Sequence, residues 1–199
     1  MPRPIAQDHD DKRDAILRAA ARLFADVGYG RGSMAEVAQV CGISKANIYH
    51  YYPSKEALLF DILDSHLRYL RDRIGNLSFP SSDPKAKVLH MITEVLLAYQ
   101  DADAEHEVLL NATKALPKEQ QQILRQHQSD LIGYGQTILT LITPPDIVAD
   151  SCKMRALTMS VFGMLNWHYK WCRNADAETR RAHAKIIAQL VIGGAPSLS

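Results

Sequence analysis

The sequence predicts an all-α protein of about nine helices, on three observations. Apolar residues recur three and four positions apart through almost the whole chain. These runs stop at Gly28, at Gly42, at Pro53 and in residues 76–84, and new ones begin at helix-opening residues such as Ser33, Ser44 and Ser54. No segment alternates apolar and polar residues between turn signals as a strand would.

The first helix is predicted from Asp11 to Val27, with Ala15, Ile16, Ala19, Ala20, Leu23, Phe24 and Val27 on its apolar side and Gly28 at its end. Asp8, Asp10, Asp11 and Asp14 lie ahead of it and in its first turn, where they favour the helix dipole. Ser33 then caps a short helix, and Glu36 three residues later completes a capping box. Ala35, Val37, Ala38 and Val40 supply its apolar side, and Gly42 stops it. Ser44 caps a third helix running to about His50, which Pro53 prevents from continuing. Ser54 opens a fourth helix reaching about residue 74, and "NLSFPSSDP" reads as a linker. Five more helices follow, over Pro84–Tyr99, Glu105–Leu116, Pro117–Ile142, Asp146–Arg173 and Ala177–Ile192.

Composition excludes several classes. Hydrophobic residues make up 47% of the chain and charged ones 23%, the balance of a soluble globular protein. The formal net charge is +1, so any contact with nucleic acid must come from local arrangement rather than bulk charge. Cys41, Cys152 and Cys172 are odd in number and far apart, which argues against a disulfide framework or a metal site and fits a reducing cytoplasm. The N-terminal residues lack the apolar stretch of a signal peptide, and no run has the length of a membrane span. The histidines are scattered, without HExxH spacing, and neither GxGxxG nor a P-loop is present, so an enzyme is not expected.

The informative unit is "GSMAEVAQVCGISKANIYHYYPSKEALL". It places two short capped helices around Gly42 and braces them with a longer helix on each side, the build of a helix-turn-helix. The second short helix has only about two turns, too few to be stable alone. Its neighbours must hold it through Ile48 and Tyr52, which leaves Lys45, Ala46, Asn47, Tyr49, His50 and Tyr51 facing outward. Asn47 and Lys45 can donate to base edges. Tyr49 and His50 can reach phosphate oxygens or thymine methyls, and small Ala46 permits close approach to a groove. Lys55 and the helix start at Ser33 and Met34, like the one at Ser44, are placed to meet phosphate.

Over roughly residues 12–60 the sequence resembles the TetR family of bacterial transcriptional regulators. The resemblance rests on Gly28-Tyr29, Ser33, Ala38, Gly42, Ile43-Ser44, Ile48-Tyr49, Tyr52, Lys55 and Leu58 in order. It implies a helix-turn-helix DNA-binding domain over residues 1–56, a connecting helix over 54–75, and a ligand-binding and dimerisation domain over 57–199. A homodimer would then read a palindromic operator in double-stranded DNA, without a resident cofactor, and a small-molecule inducer would release it.

The C-terminal half supplies its own signals. In "SVFGMLNWHYKWCRN", Phe162, Leu165, Asn166 and Tyr169 share one helical side, whereas Ser160, Met164, Trp167 and Trp171 share another. A helix apolar on two sides is buried on two sides. Residues 146–173 and 177–192 are therefore expected to form a twofold helix-pair seam with a second copy. The same segment resembles acyl-CoA-responsive repressors of phenylacetate and fatty-acid catabolism, although Cys172 stands where those proteins carry an aromatic residue. That resemblance implies an apolar tunnel among Leu89, Ile92, Val95, Leu96, Leu109, Leu110, Tyr134, Met159 and Phe162. Asn166 would bond the thioester, Trp167 and Trp171 would seal the pocket or meet the partner subunit, and Lys114, Lys153, Arg155, Lys170 and Arg173 would supply cations for phosphates. Two other readings stay open: a DNA-binding activator or architectural dimer without ligand, and a repressor induced by a hydrophobic compound lacking coenzyme A.

Overall fold

The computed structural model describes residues 5–198, with side chains from residue 10 onward. The described residues form ten α-helices and three short 3₁₀ turns, with no strand. In order they are α1 (Ile5–Val27), α2 (Met34–Val40), α3 (Lys45–Tyr51), α4 (Lys55–Gly75), α5 (Pro84–Ala98), α6 (Asp103–Ala112), α7 (Lys118–Leu139), α8 (Pro145–Ala149), α9 (Ser151–Trp171) and α10 (Ala177–Gly194).

Two differences from the sequence expectation have local causes. Helix α1 begins at Ile5 rather than Asp11, since no residue from Ile5 to Val27 is a helix breaker. Asp11 and Asp14 therefore sit in its second and third turns, beyond the reach of the end charge of the dipole. The side chain of Asp8 lies outside the described residues. The run expected as one helix from Asp146 to Arg173 is two helices, because Asp150 is extended and its carboxylate accepts from the amides of Cys152 and Lys153. That cap starts α9 afresh.

The chain forms two compact units. The first comprises residues up to Leu67 together with Ala104–Arg125, and α4 leaves it at Leu67. Its core gathers Ile16, Ala20 and Phe24 of α1, Val37 and Ala38 of α2, Ile48 of α3, and Leu58, Leu59, Ile62 and Leu63 of α4, with Val108 and Ala112 of α6. The second comprises Arg68–Asp103 and Gln126–Ser199. There α10 packs chiefly along α5, and the two helices bury Ala184 and Ala188 on one side and Val88, Ile92 and Val95 on the other. Phe162, Leu165 and Tyr169 of α9 are buried in the same unit. One close approach demands glycine: a Cβ on Gly135 would stand 2.7 Å from the Phe162 ring.

Candidate functional site

Local capping chemistry builds the head of the first unit. The Ser33 amide donates to Glu36 Oε2 at 2.8 Å, and the Glu36 amide donates back to Ser33 Oγ at 3.3 Å. The Ser33 hydroxyl also bonds Glu36 Oε2 at 2.7 Å, so it is committed to the cap rather than turned outward. Helix α2 ends with Gly42 at φ +66°, a left-handed conformation that favours glycine. The Gly42 amide donates to Gln39 O and the Ile43 amide to Ala38 O, which closes a Schellman motif and reverses the chain. Ser44 then caps α3 by accepting from the Asn47 amide at 3.1 Å.

This construction fixes which side of α3 faces out. Ile48 is fully buried and Tyr52 nearly so. The Tyr52 hydroxyl donates to Asp61 Oδ2 at 2.6 Å, and Arg13 Nε donates to the same oxygen at 3.0 Å. Burial, with the Asp61 hydrogen bond, pushes the Tyr52 phenol well above its ordinary value. Helices α1 and α4 and the end of α3 are thereby tied together. Lys45, Ala46, Asn47, Tyr49 and His50 are exposed on the opposite side, and Tyr51 is half-buried. Two expected interface residues are placed differently. The Met34 side chain is core, 5% exposed, because it takes the inward phase of α2 with Val37 and Ala38. Lys55 directs its Nζ onto the Tyr29 carbonyl oxygen and over the Tyr29 ring, 4.2 Å from its centroid. That makes it a brace between the α1–α2 turn and α4.

The second unit resolves the two-sided helix. Phe162, Leu165 and Tyr169 point inward, and the half-buried Asn166 accepts through Oδ1 from the Tyr99 hydroxyl at 2.7 Å. Burial raises the Tyr99 phenol far above its usual range, which keeps it a donor. The tryptophans face outward: Trp167 and Trp171 are each 60% exposed, and Ile186 and Leu190 of α10 are 56% and 62% exposed. Ala156, Ser160 and Met164 of α9 and Leu190, Ala195 and Leu198 beyond line an open apolar hollow of about 640 Å³ on these elements.

The expected pocket residues divide accordingly. Ile92, Leu96 and Phe162 are buried and Leu89 is half-buried in the second unit, whereas Leu109 is buried in the first. Leu110, Tyr134, Met159, Trp167 and Trp171 are exposed rather than enclosed. The helical phase that sends Leu109 inward sends Leu110 out. Lys114 is exposed in the first unit, and Lys153, Arg155, Lys170 and Arg173 are exposed in the second.

Sequence inspection missed the buried histidines. In the second unit His168 is 1% exposed and stacks on His183, with ring centroids 4.6 Å apart and Trp171 edge-on to both. Burial, together with His183, lowers its pKa to about 4. In the first unit burial and the nearby His106 hold His66 at about 3. An unfolded histidine takes up its proton near pH 6.5, so the unfolded chain binds protons first as pH falls below that value. The stabilisation from burying these rings neutral is complete above pH 6.5 and decreases toward pH 4, by about 1.4 kcal/mol per pH unit per ring at most. Urea denaturation at pH 7.0, 5.5 and 4.5 should show this slope, and His66→Gln or His168→Gln should flatten it. An unchanged slope in both variants would rule out these rings as its source.

Similarity to known proteins agrees with this architecture. The profile for bacterial regulatory proteins of the tetR family matches residues 16–62. That for the tetracyclin repressor-like C-terminal domain matches residues 81–195, more than half the chain. The transcriptional regulator YuxN of Bacillus subtilis is 36% identical over 94 residues, which span 46% of this chain and 32% of that protein. The chain thus matches only about a third of the length of that relative. A TetR-family transcriptional regulator from Bordetella parapertussis superposes with a TM-score of 0.84 at 34% identity, over 94% of this chain and 97% of that one. AibR, solved in complex with isovaleryl coenzyme A and operator DNA, shares the fold with a TM-score of 0.73 at 21% identity, over 94% of this chain and 100% of that one. Its helix-turn-helix head, its C-terminal helices and its near end-to-end likeness to a solved member agree: the chain belongs to the TetR family of bacterial transcriptional regulators.

Proposed function

We propose that the chain is a homodimeric repressor that binds a palindromic operator and leaves it when a small-molecule inducer, an acyl-CoA such as phenylacetyl-CoA or a fatty acyl-CoA, is bound. Residues 1–56 read the DNA, α4 connects, and residues 57–199 provide sensing and pairing. The observation that carries this reading is the outward face of α3, where Lys45, Asn47, Tyr49 and His50 project from a helix anchored through Ile48 and Tyr52. An element of two turns held so firmly, with its polar side bare, suits insertion into a major groove. Ala46 leaves room for the approach, and the first-turn amides after Ser33 and Ser44 suit phosphate.

The expected result is specific to each residue. On an operator selected from a random pool, Asn47→Ala should weaken binding by about 10- to 100-fold and relax preference at one position, as loss of a bidentate base contact does. Lys45→Ala should weaken binding by a similar factor and relax preference at a second position, as loss of its base-edge donor does. Unchanged operator affinity in both variants would remove α3 as the reading element.

The ligand reading rests on the "FGMLNWHYKW" segment and on the Asn166 amide. With Oδ1 taken by Tyr99, its N–H groups remain to donate to a thioester carbonyl. The exposed Lys170 and Arg173 of the same unit are suitable partners for the nucleotide phosphates. The complex of AibR with isovaleryl coenzyme A supports the ligand class through likeness of fold. A ligand displaces the repressor only by binding its DNA-free state more tightly. Titration of phenylacetyl-CoA and palmitoyl-CoA into the protein–operator complex should therefore release DNA. If neither does so at saturation, the inducer lacks coenzyme A or the protein acts without a ligand.

A further inference from the structure

The apolar hollow of the second unit and the two tryptophans share one side of α9, and they differ in shape as a socket and a knob differ. Ala156 and Ser160, both small and exposed, belong to the α9 wall of the hollow, which Gly194 and Ala195 also line. Further along the same side stand Trp167 and Trp171. Neither tryptophan lines the hollow of its own chain. Trp171 stands edge-on to His168 and His183, with ring centroids 4.9 and 4.8 Å away, so it is a braced projection rather than a loose side chain.

The spacing of these residues has a twofold pattern. When a helix crosses a copy of itself about a perpendicular twofold axis, the two run antiparallel and residues equally far from the crossing point face each other. Ser160 and Trp167 are equally far from the point between Gly163 and Met164, and so are Ala156 and Trp171. One crossing point therefore sets both tryptophans on small residues of the partner. Gly163 stands at that point, and its own chain does not call for glycine there. Its backbone is not left-handed, and a Cβ would meet nothing within 4 Å. Glycine inside a helix is destabilising relative to alanine, and here it lets a second backbone come close.

Charge selects this register over its neighbour. With the crossing at Gly163, Lys170 falls opposite Leu157, and Lys153 falls opposite Asn174, past the helix end. Sliding by one turn, so that Trp167 meets Ala156, would set Lys170 against Lys153. Area is also in proportion. At 60% exposure the two tryptophans offer on the order of 250 Å² per chain, about a third of what each partner commits to a standard interface.

We infer that α9 crosses α9 of a second copy antiparallel at Gly163, with Trp167 seated against Ser160 of the partner subunit and Trp171 against Ala156 of the partner subunit. This rests on the homodimer reading and adds the register of its seam.

Sedimentation equilibrium on the full chain tests the register without operator or inducer. Trp167→Ser leaves the socket unfilled, and Ser160→Trp sets bulk against bulk. Each should weaken dimerisation at least about 100-fold, because a twofold seam loses its aromatic anchor twice. The exchange variant, Ser160→Trp with Trp167→Ser, returns one large and one small residue to each contact. It should recover dimerisation to within about tenfold of wild type. Gly163→Leu should give a monomer although leucine is the better helix former. Ser160, Gly163 and Trp167 are exposed in the single chain, so all these variants should keep the wild-type helix content. Wild-type tryptophan emission should move to longer wavelength as dilution dissociates the dimer. A monomeric wild type would overturn the homodimer reading and this register together. A dimeric wild type whose exchange variant associates no better than the single variants, or whose emission ignores dissociation, would overturn the register alone.

Discussion

Arg180→Ala is expected to destabilise the second unit by about 3–5 kcal/mol, as removal of one partner from a buried ion pair does. Arg180 is only 1% exposed. Its guanidinium donates from Nε to the Ala175 carbonyl at 3.0 Å, from one terminal nitrogen to Leu96 O at 3.5 Å, and from the other to Asp103 Oδ1 at 2.9 Å. The other Asp103 oxygen accepts from the amide of Asn174, which holds a left-handed φ of +53° in the turn between α9 and α10. One planar fork thus joins the end of α5, the start of α6 and the α9–α10 turn. Alanine would leave the part-buried Asp103 carboxylate and two carbonyl oxygens short of a donor. Lysine offers one compact ammonium for three divergent acceptors, so Arg180→Lys should recover only part of the loss. Asp103→Ala should cost a similar amount because it strands the guanidinium, and the double variant should cost less than the sum. Chemical denaturation measures all four, and a loss below about 1 kcal/mol for Arg180→Ala would contradict the assigned role.

The residues of that node show where sequence reading stops. The helix-turn-helix was legible because its signals are local: Ser33 and Glu36 lie three positions apart, Gly42 carries its own backbone preference, and Ser44 caps the residues just after it. Arg180 and Asp103 are 77 positions apart, and nothing in either neighbourhood distinguishes them from surface charges. Lys55 illustrates the same limit. Its position at the start of α4 suits phosphate, yet the Tyr29 ring and carbonyl hold it, and only the fold brings these together. Helical periodicity was similarly partial at α9. It separates the Phe162 and Leu165 side from the Trp167 and Trp171 side, because angular spacing is fixed by the helix. Which side turns inward depends on what α5 and α7 present to it, and Gly135 makes room for Phe162 rather than for a tryptophan.

That outward tryptophan side sets the other large expected effect. Trp167→Glu combined with Leu190→Glu should convert the proposed dimer to a monomer and weaken operator binding by about 10²- to 10⁴-fold. Loss of the second reading head removes the effective concentration it gains from being tethered. Trp167 and Trp171 of α9 and Ile186 and Leu190 of α10 are four large apolar side chains left exposed, and monomeric soluble proteins seldom leave large apolar patches bare. A twofold contact would place each patch against its own copy, so a single substitution introduces two carboxylates into one seam and the double variant four. Burying them unpaired is far more costly than leaving the monomer exposed. Because both side chains are about 60% exposed in the single chain, the variant should keep its helix content and melt like the wild type at high dilution. Sedimentation equilibrium reports the mass, and fluorescence anisotropy on a selected palindrome reports the affinity. A half-site should be bound equally, and weakly, by both proteins. A variant that remains dimeric would move the seam elsewhere on the surface, and a monomer with undiminished palindrome affinity would show that each head reads alone.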